Sequence, residues 1–289
     1  MFVYMLVGFV LYKKGLLTKE GTGSLSNLLV YVVMPCVILH SFCIPYTSDG
    51  PKILLEGLVA AVIALGIGAI VCALIYKNDV ITKVGTTFPN AGFIGIPLVN
   101  AVFYDGAAFY MMPLQTLVAS LQYTYAQVAL SKEKQSIVKG LLTNPMIIAI
   151  VIGLFVYFLR LGELIPGVLL KAIDGLYATQ SPLAMIIIGT YLAQIDFTHL
   201  HIKADLLASF VRLLLIPTLV FVALKFLPID HTIKTVVLIA SSCSIGSNIA
   251  VYAEKFGGDH VFACEVVTFT TVLSIVTLPI IMLVSVGVI

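Results

Sequence analysis

Apolar residues fill this chain in long blocks, separated by short breaks that contain charged residues, glycine or proline. The blocks predict ten helical spans, at about 1–13, 24–45, 53–76, 81–103, 107–130, 137–159, 167–194, 204–227, 232–256 and 260–287. A helix rises 1.5 Å per residue, so blocks of twenty or more residues cross roughly 30 Å of hydrocarbon with some tilt. The first block reaches only about 18 Å and reads as a half-span or as part of a longer helix.

The fourth block departs from the rest. Between Thr87 and Asn100 it carries Pro89 and Pro97, Gly92 and Gly95, and Asn90 besides Asn100 itself. Each proline removes a backbone donor and clashes with the preceding turn. Lipid offers no replacement partner, so broken backbone survives at membrane depth only where protein buries it or where it faces a wet cavity. The stretch therefore predicts a helix break lining a site for a polar solute. The ninth block has its own weak point, Ser241-Ser242-Cys243-Ser244-Ile245-Gly246-Ser247-Asn248, flexible and polar in place of proline-rich.

Two spacings suggest that the breaks belong to a repeat. Pro35 and Pro182 occupy matching places in spans two and seven, and Asn100-Ala-Val-Phe-Tyr104 echoes Asn248-Ile-Ala-Val-Tyr252 at nearly the same offset. The repeats would be 1–130 and 137–289. Five spans per repeat is an odd number, so the two halves would insert with opposite orientation. Inverted repeats that meet at discontinuous helices near the midplane are a transporter architecture.

Composition agrees. The 289-residue chain is 60% hydrophobic and 10% charged, against about 25% charged residues in soluble domains. This fits an all-α polytopic membrane protein and excludes a nucleic-acid-binding surface, since the basic residues form no patch. They concentrate in loops after odd-numbered spans, as Lys13, Lys14, Lys19, Lys77, Lys83, Lys132, Lys134, Lys139, Lys203 and Lys255. The positive-inside rule then puts both termini outside the cytoplasm. The five cysteines lie in apolar runs without metal-ligand spacing, and read as small buried hydrophobes. No cofactor or metal is implied.

Candidate chemistry gathers at the breaks. Asn90, Asn100, Ser244 and Asn248 are the nearest polar groups, and an amide offers donors and acceptors without a buried charge. Freed helix N-termini would add unpaired N–H groups and a positive dipole end that favours anions. The plain alternative is that these residues only cap broken helices. Gly92, Gly95 and Pro97 would hold the break open. Gln115 and Gln122 are seven residues apart, on one face of span five; they line the site or glue helices together. Among ionisable groups, Glu56 and Arg212 are expected to snorkel to span ends, Asp174 to be interfacial and His40 to be packed. Glu265 lies deeper in span ten and is a candidate for proton coupling or for pairing with Lys255. No zinc-binding His pair or serine elbow is present, so an enzyme is not expected.

Phe88-Pro-Asn-Ala-Gly-Phe-Ile-Gly-Ile-Pro-Leu98 resembles the fourth-span signature of the auxin efflux carrier family, which includes PIN-type carriers and bacterial malate or malonate permeases. Gly8-Phe-Val-Leu-Tyr-Lys-Lys-Gly-Leu-Leu-Thr18, Leu25-Ser-Asn-Leu-Leu-Val-Tyr-Val-Val-Met-Pro35, Val251-Tyr-Ala-Glu-Lys-Phe256 and Thr271-Val-Leu-Ser-Ile-Val-Thr-Leu-Pro279 extend the likeness across the chain. The resemblance implies ten transmembrane helices in two inverted five-helix repeats, with broken helices four and nine crossing as in sodium/proton antiporters and bile-acid transporters. It implies a scaffold from 1–45 and 137–194, a moving transport domain from 53–130 and 204–287, a homodimer and an elevator motion. Asn90 and Pro97 match the family's crossover residues. Relatives usually carry a proline in the ninth-span break, absent here, and the long hydrophilic loop of plant PIN carriers is absent too. The expectation is a compact bacterial-type secondary transporter in the cytoplasmic membrane, moving a small organic anion such as malate or an auxin-like acid. The competing expectation is a membrane receptor or regulatory protein that keeps this fold without transporting.

Overall fold

The computed structural model describes residues 2–77, 79–104, 106–130, 142–194, 201–256 and 258–288. Among them every regular element is helical: α1 (Phe2–Lys13), α2 (Lys19–Phe42), α3 (Gly50–Ile75), α4 (Val80–Thr87), α5 (Ala91–Val102), α6 (Met112–Leu130), α7 (Pro145–Phe158), α8 (Gly167–Gln194), α9 (Ile202–Lys225), α10 (His231–Ser241), α11 (Asn248–Phe256) and α12 (His260–Val288). Among the described residues five helices are long and apolar enough to cross a membrane: α2, α3, α8, α9 and most of α12.

Several boundaries differ from the sequence expectation. The second helix begins at Lys19, because the Thr18 hydroxyl accepts from the Gly21 N–H and starts it there. Helix α7, in the expected sixth span, begins at Pro145 and is capped by Asn144, whose side chain accepts from the Met146 N–H at 2.9 Å. The expected start at 137 lies outside the described residues.

The burial pattern inverts that of a soluble helix. In α3 the buried positions include Gly57, Ala60, Ala61, Ala64, Gly68 and Cys72, while Leu55, Val59, Val62, Ile70 and Leu74 are exposed. Bulky apolar residues outside and small ones inside suit lipid as solvent, because small residues let membrane helices approach closely. Tight packing then follows from the sequence without a polar exterior.

Prolines act through a shared device. Leu29–Val33, Ala91–Gly95 and Val211–Leu215 are wide π turns, each followed by one residue and then by Pro35, Pro97 or Pro217. A proline ring collides with the carbonyl four residues back, and widening the turn by one residue relieves the collision without ending the helix. Pro97 therefore does not break the fourth span; Pro89 stands in the break. Pro182 and Pro279 sit inside α8 and α12 without such a turn.

Candidate functional site at the paired helix breaks

Two interruptions sit inside otherwise continuous helical runs, Phe88–Asn90 between α4 and α5, and 242–247 between α10 and α11. They meet. The Asn90 N–H donates to the Ser244 carbonyl at 2.8 Å, and the Gly246 N–H donates to the Phe88 carbonyl at 3.1 Å. Pro89 and Ile245 thus form one antiparallel rung. Each break satisfies backbone groups that the other leaves free, as backbone with little access to water requires. The second break is braced by α12: the Ile245 N–H donates to the Thr270 hydroxyl at 3.3 Å, and the Ser244 and Thr271 hydroxyls are 3.0 Å apart.

Asn90 caps α5, its side-chain oxygen accepting from the Phe93 N–H at 3.3 Å. Its Nδ2 is buried without an acceptor among the described residues, as are Gln122 Nε2 and the Ser247 hydroxyl, while Gln115 Oε1 is buried without a donor. Buried polar atoms usually find partners, so this cluster is unusual. Both glutamines face the breaks. A Cβ placed on Gly92 would lie 3.1 Å from Gln115 Nε2, and one on Gly246 would lie 2.8 Å from Gln122 Nε2. Gly92 and Gly246 are the residues that let α6 come this close.

The other expected site residues are placed as follows. Gly95 is buried and packs against Met111 and Cys243. Pro97 is half-buried within α5, and Asn248 is half-buried at the first position of α11. Asn100 lies away from the breaks, in the last turn of α5. Its amide donates to the Tyr177 hydroxyl at 2.6 Å and accepts from the Ala108 N–H at 2.8 Å, tying α5 to α8 and to the start of the next helix. Asn100 and Asn248 therefore occupy opposite ends of their half-helices, so the five-residue echo between them is not a structural correspondence.

Two residues that reach the paired breaks were missed or misread in the sequence. Gln180, 2% exposed on α8, donates its Nε2 to the Gly92 carbonyl. Arg212 does not snorkel. It is 1% exposed, and its Nε donates to the Cys243 carbonyl at 2.9 Å, Nη1 to the Thr86 and Thr87 carbonyls at 3.1 and 3.4 Å, and Nη2 to the Ser241 carbonyl. A lone arginine eight residues from a span end reads as snorkelling because nothing in the sequence shows which carbonyls surround it. The wide turn before Pro217 carries it inward.

Glu265 is buried on α12. Its carboxylate accepts from the His201 backbone N–H at 2.6 Å and lies 3.2 Å from His201 Nδ1. The Asp205 carboxyl on α9 is fully buried, and neither of its oxygens has a hydrogen-bond partner among the described residues. The side chain of Lys255, its expected alternative partner, lies outside the described residues. Hydrogen bonding to Glu265 pushes the His201 imidazole above its ordinary value. His40, expected to be packed, stacks on Tyr177 and also reaches Asp174 at 3.5 Å. Glu56 accepts from the Asp230 N–H and pairs with Lys52 at 3.7 Å.

A cavity of about 480 Å³ lies elsewhere, among Cys43, Tyr46, Val156 and Arg160, where the guanidinium stacks 4.5 Å over the Tyr46 ring. Among the described residues no cluster of three or more His, Cys, Asp or Glu side chains is arranged to hold a metal ion.

A search of curated proteins finds no match. The model of the membrane transport protein family matches residues 1–140 and 131–282, essentially the whole chain. This multi-pass helical protein, with its two paired helix breaks, belongs to the membrane transport protein family, that of the auxin efflux carriers.

Proposed function

We propose that this transporter moves a small organic anion, a carboxylate, and that the paired breaks hold it. The observation that carries the reading is the pair of buried donors, Asn90 Nδ2 and Gln122 Nε2, left without acceptors beside the crossing. A carboxylate accepts several hydrogen bonds, and charge-assisted bonds to it are roughly twice as strong as neutral ones. The N-termini of α5 and α11 add positive dipole ends. Binding there completes bonds that the empty protein lacks.

In this reading the two halves form inverted five-helix repeats, residues 1–45 and 137–194 make the scaffold, and 53–130 and 204–287 make the moving transport domain. Movement is of the elevator type, within a homodimer, in a bacterial cytoplasmic membrane with both termini outside. Glu265, buried on α12 against His201, is the proposed coupling carboxylate, because an ionisable side chain inside a span is costly to keep without a functional role.

Purified protein should first be screened for thermal stabilisation by mono- and dicarboxylates, since a ligand of the folded state raises its stability. A stabilising acid should then exchange in counterflow across proteoliposomes. Stabilisation without counterflow would point to a receptor. Absence of stabilisation by any carboxylate would overturn the substrate class.

A further inference from the structure

Arg212 is a buried cation whose partners are all backbone carbonyls. No carboxylate of the described residues forms an ion pair with it. Burying a charge without a counter-charge is costly, so the compensation must come from the backbone. Its source is visible in the chain positions of the four acceptors. Thr86 and Thr87 end α4, Ser241 ends α10, and Cys243 lies two residues beyond it, in the second break. The last carbonyls of a helix have no partner inside it, and each helix C-terminus carries about half a negative charge. Two such ends meeting at one point supply about one negative charge, which matches one guanidinium.

Broken-helix transporters commonly use these same groups, unwound carbonyls and half-helix C-termini, to coordinate a coupling sodium ion. Here the fork of Arg212 takes them. Guanidinium is more weakly hydrated than an ammonium and presents five donors in a fixed plane, so one side chain can bridge both helix ends as a small ion would.

We infer that Arg212 is a resident cation: it permanently occupies the carbonyl cage formed by the C-termini of α4 and α10, and holds the crossing together without sodium. The inference rests on the paired breaks being the transport core, and it gives that core a positive charge fixed behind the proposed anion site. Arg212 is in this sense a positioning residue. It holds Phe88–Asn90 against 242–247 through the helices that precede them.

The test is thermal unfolding of the purified full-length protein, which is independent of substrate identity and so separates failure of this inference from failure of the carboxylate assignment. Wild type should melt at the same temperature in sodium chloride and in choline chloride of equal ionic strength. Arg212→Ala should melt at least about 5 °C lower, and millimolar guanidinium chloride should restore at least half of the loss while leaving wild type unmoved. Choline should restore none. Sodium-specific stabilisation of wild type would overturn the inference, as would Arg212→Met melting with wild type. Should R212A not survive purification, the wild-type comparison of sodium with choline still decides.

Discussion

The side-chain amide of Gln180 donates to the Gly92 carbonyl at 2.5 Å, filling the place of a backbone donor that Pro97 does not have. In the wide turn Gly95 and Ile96 donate five residues back, to Asn90 and Ala91. The next donor in that series would be residue 97, and proline has no N–H. A buried carbonyl left unpaired costs about 1–3 kcal/mol. Gln180→Leu should therefore destabilise the protein by about 1–3 kcal/mol. In a Pro97→Ala background, where residue 97 regains its N–H, the same change should cost less. Chemical denaturation of the two single variants and the double one gives the coupling directly, and strict additivity would reject this account.

Asn90 combines two jobs that substitutions can separate. Its oxygen caps α5, and its Nδ2 is the donor proposed for the anion. Asn90→Asp keeps the cap acceptor and replaces the donor with a charge that repels an anion. Uptake by N90D in proteoliposomes should fall at least about 10-fold, the loss expected for a hydrogen bond to a charged group, with the fold retained. Asn90→Ala should also lose the cap, lowering stability by about 1 kcal/mol. Normal uptake by N90D would remove Asn90 from the site.

Gln115 and Gln122 look equivalent in sequence, but opposite atoms of their amides lack partners. The unpaired atom of Gln122 is a donor, suited to a carboxylate, and that of Gln115 is an acceptor. Gln122→Leu should raise the KM for a carboxylate about 10-fold, whereas Gln115→Leu should change it little. Equal effects of the two variants would show that neither contacts the anion through the atom assigned.

The His201–Glu265 pair gives a pH dependence whose sign follows from the structure. The Glu265 carboxylate holds the imidazole above its ordinary value of 6.5. The protonated ring is therefore favoured in the folded protein, and the stabilisation is fully present below about 6.5 and lost as pH rises through the elevated folded value. His201 is largely exposed, so the effect is modest. Wild-type melting temperature should decline across this window more steeply than that of His201→Phe. Parallel profiles for the two proteins would dismiss the pair as a contributor.

The sequence by itself determined the class of structure, because length and hydropathy of each block are local properties that lipid imposes on any spanning helix. It also determined where the helices break. Pro89-Asn90 and the run from Ser241 to Asn248 cannot continue a helix comfortably, and α5 and α11 begin where those residues imply. Pro97 was read as part of the break, yet it only widens a turn, since its effect depends on whether the helix can absorb one extra residue. The echo of Asn100 with Asn248 is not a structural match, because five-residue motifs recur by chance: the first lies in the last turn of α5 and the second begins α11.

Only the tertiary structure decided which polar groups have partners. Asn100 is consumed by Tyr177, 77 positions away, whereas Asn90 keeps a free donor. Gln180 and Arg212 looked unremarkable along the chain because their significance lies in carbonyls contributed by helices far away in sequence. A hydrogen-bond partner is a property of three-dimensional neighbours. Hydrophobic periodicity places a residue on a helix and at a depth, but it carries no record of which distant carbonyl stands opposite.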